Sequence, residues 1–247
     1  MSEILNRNPT KTSFLKFLKE INFNFDHIID VGILDKTEEF INLFPEVHQV
    51  LIEPNALYFN VIKKNYKNLN YTLIDKACSN KRSKSILNYY KVNPDLKKPS
   101  HARISNEIDS KNPTYCGNSN VVLDTLDNIV KDFPGNSLLK IDVDGAEFEI
   151  LEGAEKKCLP QCSFVIVEAH TLRIGKFIEI MDKNHFELFD IIDICYIRGK
   201  LSQVDLIFVN KSVMKKHGEL DVWGHYMKNL KVNPYTIKGN HYKHKPK

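Results

Sequence analysis

Two carboxylates follow a short apolar run near the middle of the chain. Leu138–Val143 has the composition of a buried strand, and Asp142 and Asp144 stand at its carboxyl end. From Gly145 onward the apolar residues recur at helical spacing, so a strand is predicted to turn directly into a helix. Open α/β sheets form their ligand crevices at such strand ends. Alternatively, Asp144 is the N-cap of the helix with Glu147 as its capping-box partner, whereas Asp142 lies too far from the helix to cap it.

Two other strand ends carry residues that suit a nucleoside ligand. The run His27–Val31 contains Asp30 and is followed by Gly32, which lets a ligand approach the backbone closely. Glu53 ends the next apolar run, 23 residues after Asp30, an offset that suits hydrogen bonds to ribose hydroxyls. No G-x-G-x-x-G follows the first strand, so amides for a pyrophosphate are missing and NAD or FAD is disfavoured.

Three residues are candidates for a general base. His170 follows the apolar run Phe164–Val167 and belongs to the residue type most often used as a general base, and Asp144 and Glu168 are the second and third candidates. The alternative for His170 is a surface residue at a strand terminus, or a residue hydrogen-bonded into the loop. Together with Asp142 these groups could also hold a divalent cation, but spacing alone does not establish that they converge, and no metal site is predicted.

The other elements predict a doubly wound α/β fold. Apolar runs alternate with helical periodicity over five strands, which is typical of a mostly parallel sheet. Two final strands, Phe186–Ile194 and Val204–Val209, are joined by a stretch containing Gly199, which favours an antiparallel hairpin. The expected architecture is a Rossmann-like seven-stranded sheet with this hairpin at its C-terminal end.

Helices are predicted at Pro9–Ile21, from about Thr37, which could cap its helix, and at Asn55–Tyr66 with Leu57 facing the core. The polar segment 93–120 shows no clear periodicity. So long a connection in a compact domain is usually functional or disordered, and its place between the third and fourth core strands is one from which it could cover the crevice.

Composition narrows the functional classes. The net charge is +4, and nine lysines lie in the basic tail, but only five of the 35 basic residues are arginine, so no nucleic-acid partner is expected. Five cysteines without a C-x-x-C pair predict neither disulfides nor a zinc site, in keeping with a cytoplasmic protein. No apolar run approaches the ~20 residues of a membrane span, and no signal peptide is recognised. The oligomeric state is left open.

The chain resembles the FkbM-type S-adenosylmethionine-dependent methyltransferases over roughly residues 25–210. The matching pieces are IIDVGILDKT (28–37), VLIEP (50–54), DKACSN (75–80), LDTLDNI (123–129), LLKIDVDGAEFEILEGA (138–154) and VDLIFV (204–209). The most specific piece is KIDVDGAE, which the family commonly reads as KIDVEGAE. The resemblance implies a class I methyltransferase fold, S-adenosylmethionine as cofactor, and O-methylation of a sugar or another hydroxylated small molecule or glycan.

The resemblance also implies a set of cofactor-binding residues: Asp30, Gly32, Lys36, Thr37, Glu53, Pro54, Asp75, Ala77 and Asp142. Asp30 and Gly32 would line the methionine part of the cofactor, and Glu53 would hold the ribose. The segment Asp75–Ala77 would lie beside the adenine, and Asp142 near the cofactor amino group or the acceptor.

One departure from the family pattern concerns Lys36, which stands where a second glycine is usual. Its side chain must point away, or the loop must shift, or the lysine pairs with the cofactor carboxylate. A binding module that has lost catalysis therefore stays open, as does a nucleotide-dependent oxidoreductase, an epimerase or a nucleotide-sugar-modifying enzyme. We expect an N-terminal helix in 1–24, the methyltransferase domain in 25–210 with 93–120 as a candidate lid or acceptor loop, and a basic tail in 211–247.

Overall fold

The computed structural model describes residues 9–93 and 95–217. The strands are β1 (His27–Val31), β2 (His48–Ile52), β3 (Tyr71–Ile74), β4 (Ala77–Cys78), β5 (Ser83–Tyr90), β6 (His101–Ser105), β7 (Tyr115–Asp124), β8 (Ser137–Ile141), β9 (Cys162–His170), β10 (Phe186–Ile197) and β11 (Lys200–Asn210). The helices are α1 (Lys11–Glu20), α2 (Glu38–Leu43), α3 (Phe59–Asn65), α4 (Leu126–Ile129), α5 (Glu147–Glu152), α6 (Cys158–Gln161), α7 (Ile174–Lys183) and α8 (Lys211–His217). Short 3-10 turns occupy Ala56–Tyr58, Val130–Asp132 and Thr171–Arg173.

The central sheet has seven strands in the order β3-β2-β1-β8-β9-β11-β10. β1 pairs in parallel with both β2 and β8, and the sheet continues in parallel to β3 on one side and to β9 on the other. β11 is antiparallel to both β9 and β10. The predicted doubly wound sheet with an antiparallel C-terminal hairpin is confirmed.

A second sheet, in the order β4-β7-β5-β6, follows β3 along the chain. The segment 93–120, in which the sequence shows no clear periodicity, supplies β6 and the first six residues of β7. Exposed and partly buried side chains alternate along the first part of β7, where Asn118 and Asn120 stand in a strand. These residues have low strand propensity, and pairing with β5 on one side overrides it.

Successive residues of each central strand face opposite sides of the sheet. Ile29 and Val31 of β1 join the core under α4, α5 and α7, whereas Ile28 joins the core under α1 and α2. Asp30 therefore lies on the same face of the sheet as Ile28. The buried residues of α1 pack against this face: Phe14, Leu15, Phe17 and Leu18.

One local expectation changes in the folded chain. Leu57 is 50% exposed, because a 3-10 turn precedes α3 and shifts the helical phase that placed it inward. In the described residues, no helix is both long and apolar enough to cross a membrane. All five cysteines are free thiols. The basic tail beyond His217 lies outside the described residues.

Candidate functional site

Three carboxylates from separate strands meet at the carboxyl edge of the central sheet. Asp30 lies in β1, Glu53 follows β2, and Asp142 follows β8, which are adjacent strands. The chain leaves β1 toward β2 on one side and later reaches β8 on the other, so this edge is where the strand order reverses. A cavity of about 430 Å³ opens there, lined in part by Gly32, Glu53 and Asp142. Its size suits a drug-sized ligand or nucleoside.

Gly32 is required by the backbone of the first loop. Its φ is +82°, and a Cβ atom at this position would lie 1.9 Å from the carbonyl oxygen of Asp142. The Gly32 amide donates to Ile52 (3.0 Å), and the Asp142 amide donates to Val31 (3.0 Å). The glycine therefore lets the ends of β1, β2 and β8 approach each other closely at the cavity.

Glu53 is a buried acid held by two backbone amides. Leu34 N–H donates to its Oε2 (2.9 Å) and Asn55 N–H donates to its Oε1 (2.8 Å). Burial raises the pKa of Glu53 to about 7, although both amides favour the ionised form. Each carboxylate oxygen keeps a lone pair for a further donor, so this group suits a ligand diol.

A buried ion network lies beside it. Lys140 Nζ is 3.1 Å from Asp30 Oδ1 and 3.3 Å from Asp142 Oδ2. Lys140 and Asp30 are direct neighbours in the β1–β8 register. Burial alone would lower the pKa of Lys140, but the two carboxylates outweigh it and hold the pKa above its usual value. Thr37 was predicted to cap α2, but its side chain makes no cap hydrogen bond and donates instead to Asp30 Oδ2 (2.5 Å).

Burial would raise the pKa of Asp142, but the charges of Lys140 and Lys11 hold it below the ordinary value. Its side chain is 39% exposed, so Asp142 presents a negative charge to the cavity. Sequence reasoning did not select Lys140, because a lysine within an apolar run gives no sign that its partner Asp30 lies 110 positions earlier.

The other predicted cofactor residues divide into two groups. Pro54 and Ala77 line the cavity, whereas Asp75 is exposed and lies outside its lining. Lys36 stands at the rim, where its Nζ is 3.2 Å from Glu38 Oε2 and its side chain is 40% exposed. Lys36 is thus part of the cavity lining, and its amine is paired with Glu38.

Asp144 connects the central sheet to the second sheet. Its Oδ2 accepts a hydrogen bond from Ala102 N–H of β6 (2.7 Å), and its Oδ1 is 4.0 Å from His101 Nε2. The N-cap interpretation of Asp144 is wrong, because α5 has Ala146 as its N-cap residue. Glu147 instead accepts from Gly145 N–H (2.9 Å). Burial raises the pKa of Asp144 despite the opposing hydrogen bond from Ala102.

A groove of about 460 Å³ adjoins the cavity. Cavity and groove share the lining residues Val143, Asp144, Glu168 and Gln203, and the groove adds Arg103, Glu147, His170 and Arg173 among others. His170 is exposed and lines the groove only, with Nδ1 accepting from Leu172 N–H (3.4 Å). Glu168 lies where the two spaces join.

Glu168 is a partly buried acid between the cavity and the groove. Gln203 Nε2 donates to its Oε1 (2.5 Å). Burial, followed by the charges of Asp142 and Asp205, raises the pKa of Glu168 to about 8. In the part of the chain that the structure describes, no group of three His, Cys, Asp or Glu side chains is arranged to hold a metal ion.

The chain is similar to a known protein family and to several solved structures. Residues 27–195 match the family described as Methyltransferase FkbM domain. No curated protein matches the chain. The FkbM methyltransferase of Methylobacillus flagellatus superposes with a TM-score of 0.51 at 12% identity, over 80% of this chain and 48% of that one. This chain thus spans about half the length of that protein.

Two further solved structures show weaker likeness. The ribosomal protein L11 methylase of Lactobacillus delbrueckii subsp. bulgaricus has a TM-score of 0.44 and 9% identity, over 81% of this chain and 77% of that one. An rRNA methylase of Streptococcus thermophilus has a TM-score of 0.44 and 10% identity, over 80% and 93%. The fold is the class I Rossmann-like methyltransferase fold, and family and fold together imply S-adenosylmethionine as methyl donor. The family match over 27–195 shows that the chain belongs to the FkbM methyltransferases.

Proposed function

We propose that this chain transfers a methyl group from S-adenosylmethionine to a hydroxyl group of a sugar or another hydroxylated small molecule or glycan. The observation that carries the proposal is the junction of two spaces. A cavity lined by Glu53 and Asp142, with the fully buried Asp30 behind them, opens directly into a groove, and Glu168 lines both. One space suits a nucleoside-containing donor and the other a polar acceptor. A cytoplasmic location remains a prediction.

The residues of the cavity suit the parts of the donor. When bound, S-adenosylmethionine supplies a methyl group activated by a sulfonium centre. Glu53 would accept hydrogen bonds from the ribose hydroxyls, each worth ~1.5–3 kcal/mol for a charged acceptor. Asp142 would face the ammonium group, and Ala77 with the neighbouring Leu87 would form an apolar wall for the adenine.

The acceptor would lie in the groove with its hydroxyl at the junction. Holding the two reacting groups together can contribute up to ~7–11 kcal/mol. A hydroxyl must also lose its proton, and Glu168 is the best placed of the three candidate bases because it alone combines the junction with a pKa of about 8. Asp144 uses Oδ2 to accept from Ala102, and His170 lines only the groove.

Calorimetry with S-adenosylhomocysteine and NAD(H) tests the proposal. We expect the chain to bind S-adenosylhomocysteine and not NAD(H), and Glu53→Ala to weaken binding by ~10-fold or more through loss of charged hydrogen bonds. A folded Glu53→Ala variant with unchanged affinity would refute the ribose assignment. Release of S-adenosylhomocysteine in the presence of mono- and oligosaccharides then tests the acceptor class. Binding without turnover on any hydroxylated compound would favour a binding module.

A further inference from the structure

Lys11 belongs to the wall of the cofactor cavity, although α1 precedes the family match, which begins at residue 27. Its side chain is only 14% exposed, and Nζ lies 3.2 Å from Asp205 Oδ2. Burial alone would lower the pKa of Lys11, but the charges of Asp205 and Asp142 and the hydrogen bond to Asp205 together raise the pKa overall, so the amine stays charged. A charged and largely buried amine therefore faces the cavity.

The first residues of α1 are fixed to the central sheet at this point. Lys11 N–H donates to Asp193 Oδ2 (3.1 Å), and Asp193 N–H donates to Pro9 O (3.1 Å). Asp193 has a φ of +46° at a register shift in β10. A capping box of Thr10 and Ser13 fixes the first turn itself. Bulges with unusual backbone angles commonly direct a side chain toward a site, and this one fixes the position of Lys11.

The charges around Lys11 define what it can bind. Asp205 and Glu168 are direct neighbours in the β9–β11 register. The charge of Asp142 also acts on Lys11. A donor with an amino-acid end would bring its ammonium to these acids without difficulty, but its carboxylate would be repelled unless a cation lay nearby.

The other lysines of the cavity wall either bridge two carboxylates or are more exposed than Lys11. Lys140 bridges Asp30 and Asp142, Lys36 pairs with Glu38 at the rim, and Lys76 pairs with Asp124. Lys11 has three N–H donors, and Asp205 is the one partner of its Nζ among the described residues.

We propose that Lys11 binds the carboxylate of the methionine part of the cofactor, so that a helix outside the family match completes the donor site. This rests on the proposed function. Lys11 is thus a cofactor-binding residue and not only an anchor of α1.

The test compares two ligands that differ only at the amino-acid end. S-adenosylhomocysteine carries the carboxylate and ammonium, whereas 5′-methylthioadenosine lacks both. Calorimetry on the full chain should show that Lys11→Gln weakens the binding of S-adenosylhomocysteine by about tenfold or more, which is the loss of affinity expected for one charged hydrogen bond. Affinity for 5′-methylthioadenosine should change by less than about twofold on the same argument. Lys11→Arg should recover most of the loss.

Lys16→Gln is the matched control, because Lys16 is exposed on the same helix. It should leave both affinities unchanged. An equal loss for both ligands in Lys11→Gln, or no loss for either, would overturn the proposal and leave Lys11 as an anchor. If the unaltered chain bound 5′-methylthioadenosine as tightly as S-adenosylhomocysteine, only the inference about Lys11 would fail and the proposed function would stand. If it bound neither ligand, the proposed function would fail as well.

Discussion

Replacing Gly32 by alanine should destabilise the protein in two ways, through backbone strain and through steric overlap with Asp142. A second glycine variant separates the two effects. The φ of +82° disfavours any L side chain, and the added Cβ would lie 1.9 Å from the carbonyl oxygen of Asp142. Gly199 offers a matched site, because its φ is +76° and nothing lies within 4 Å of its Cβ position. Gly199→Ala therefore carries the conformational cost alone.

The magnitudes follow from these contacts. The left-handed conformation costs alanine about 1–2 kcal/mol at either position. At Gly32 the overlap must also open from 1.9 Å to at least 3.0 Å, and its partner is backbone that cannot rotate away. The movement breaks a hydrogen bond of Gly32 to Ile52 or of Asp142 to Val31, which costs a further ~1–3 kcal/mol. The expected total is about 2–5 kcal/mol.

Urea unfolding at pH 7 measures both variants, and calorimetry with S-adenosylhomocysteine measures the site. We expect Gly32→Ala to lose more stability than Gly199→Ala and to bind the ligand more weakly, because the loop beside the cavity must move. Equal losses of stability in the two variants would refute the close approach of Gly32 to Asp142.

Three further predictions concern ionisable groups. Lys140→Met leaves Asp30 buried without its counter-ion and should cost ~3–5 kcal/mol in urea unfolding, and a loss under ~1 kcal/mol would contradict the network. Because burial raises the pKa of Glu53 from 4.5 to about 7, the folded chain keeps a proton that the unfolded chain releases. Stability of the ligand-free chain should therefore fall as pH rises across that range, and Glu53→Gln should reduce the fall; identical pH profiles would oppose this. With Glu168 as base, the methyl-transfer rate should rise with pH up to about 8. Glu168→Gln should abolish that rise and His170→Ala should keep it, whereas the reverse result would assign the base to His170.

The strand ends of the site were accessible to sequence reasoning because their signals are local. Buried parallel strands are continuous apolar runs, so the run of β1 predicts its bounds, His27–Val31, as they are found. The ends of such strands share one edge of the sheet, which brings Asp30, Glu53 and Asp142 together. The family resemblance assigned their chemistry, and the family match confirms that membership.

Long-range pairing explains what sequence reasoning missed. The partners of Lys140 and Lys11 are Asp30 and Asp205, which are distant along the chain and become neighbours only through strand order and helix packing. β6 and the polar part of β7 in the second sheet were missed because pairing, and not composition, stabilises these polar strands. Asp144 and Thr37 were predicted to cap the helices that follow them, but their side chains instead form hydrogen bonds to residues of other strands, Ala102 and Asp30.

The sequence by itself determined the fold class, the family and the acids at three strand ends, because hydrophobic periodicity and short motifs are properties of neighbouring residues. Only the tertiary structure decided which charges are paired, which base candidate lies at the junction, and that α1 contributes Lys11 to the cavity. Those facts depend on strand register and on the packing of distant segments, and a charge buried among distant partners has no local signature.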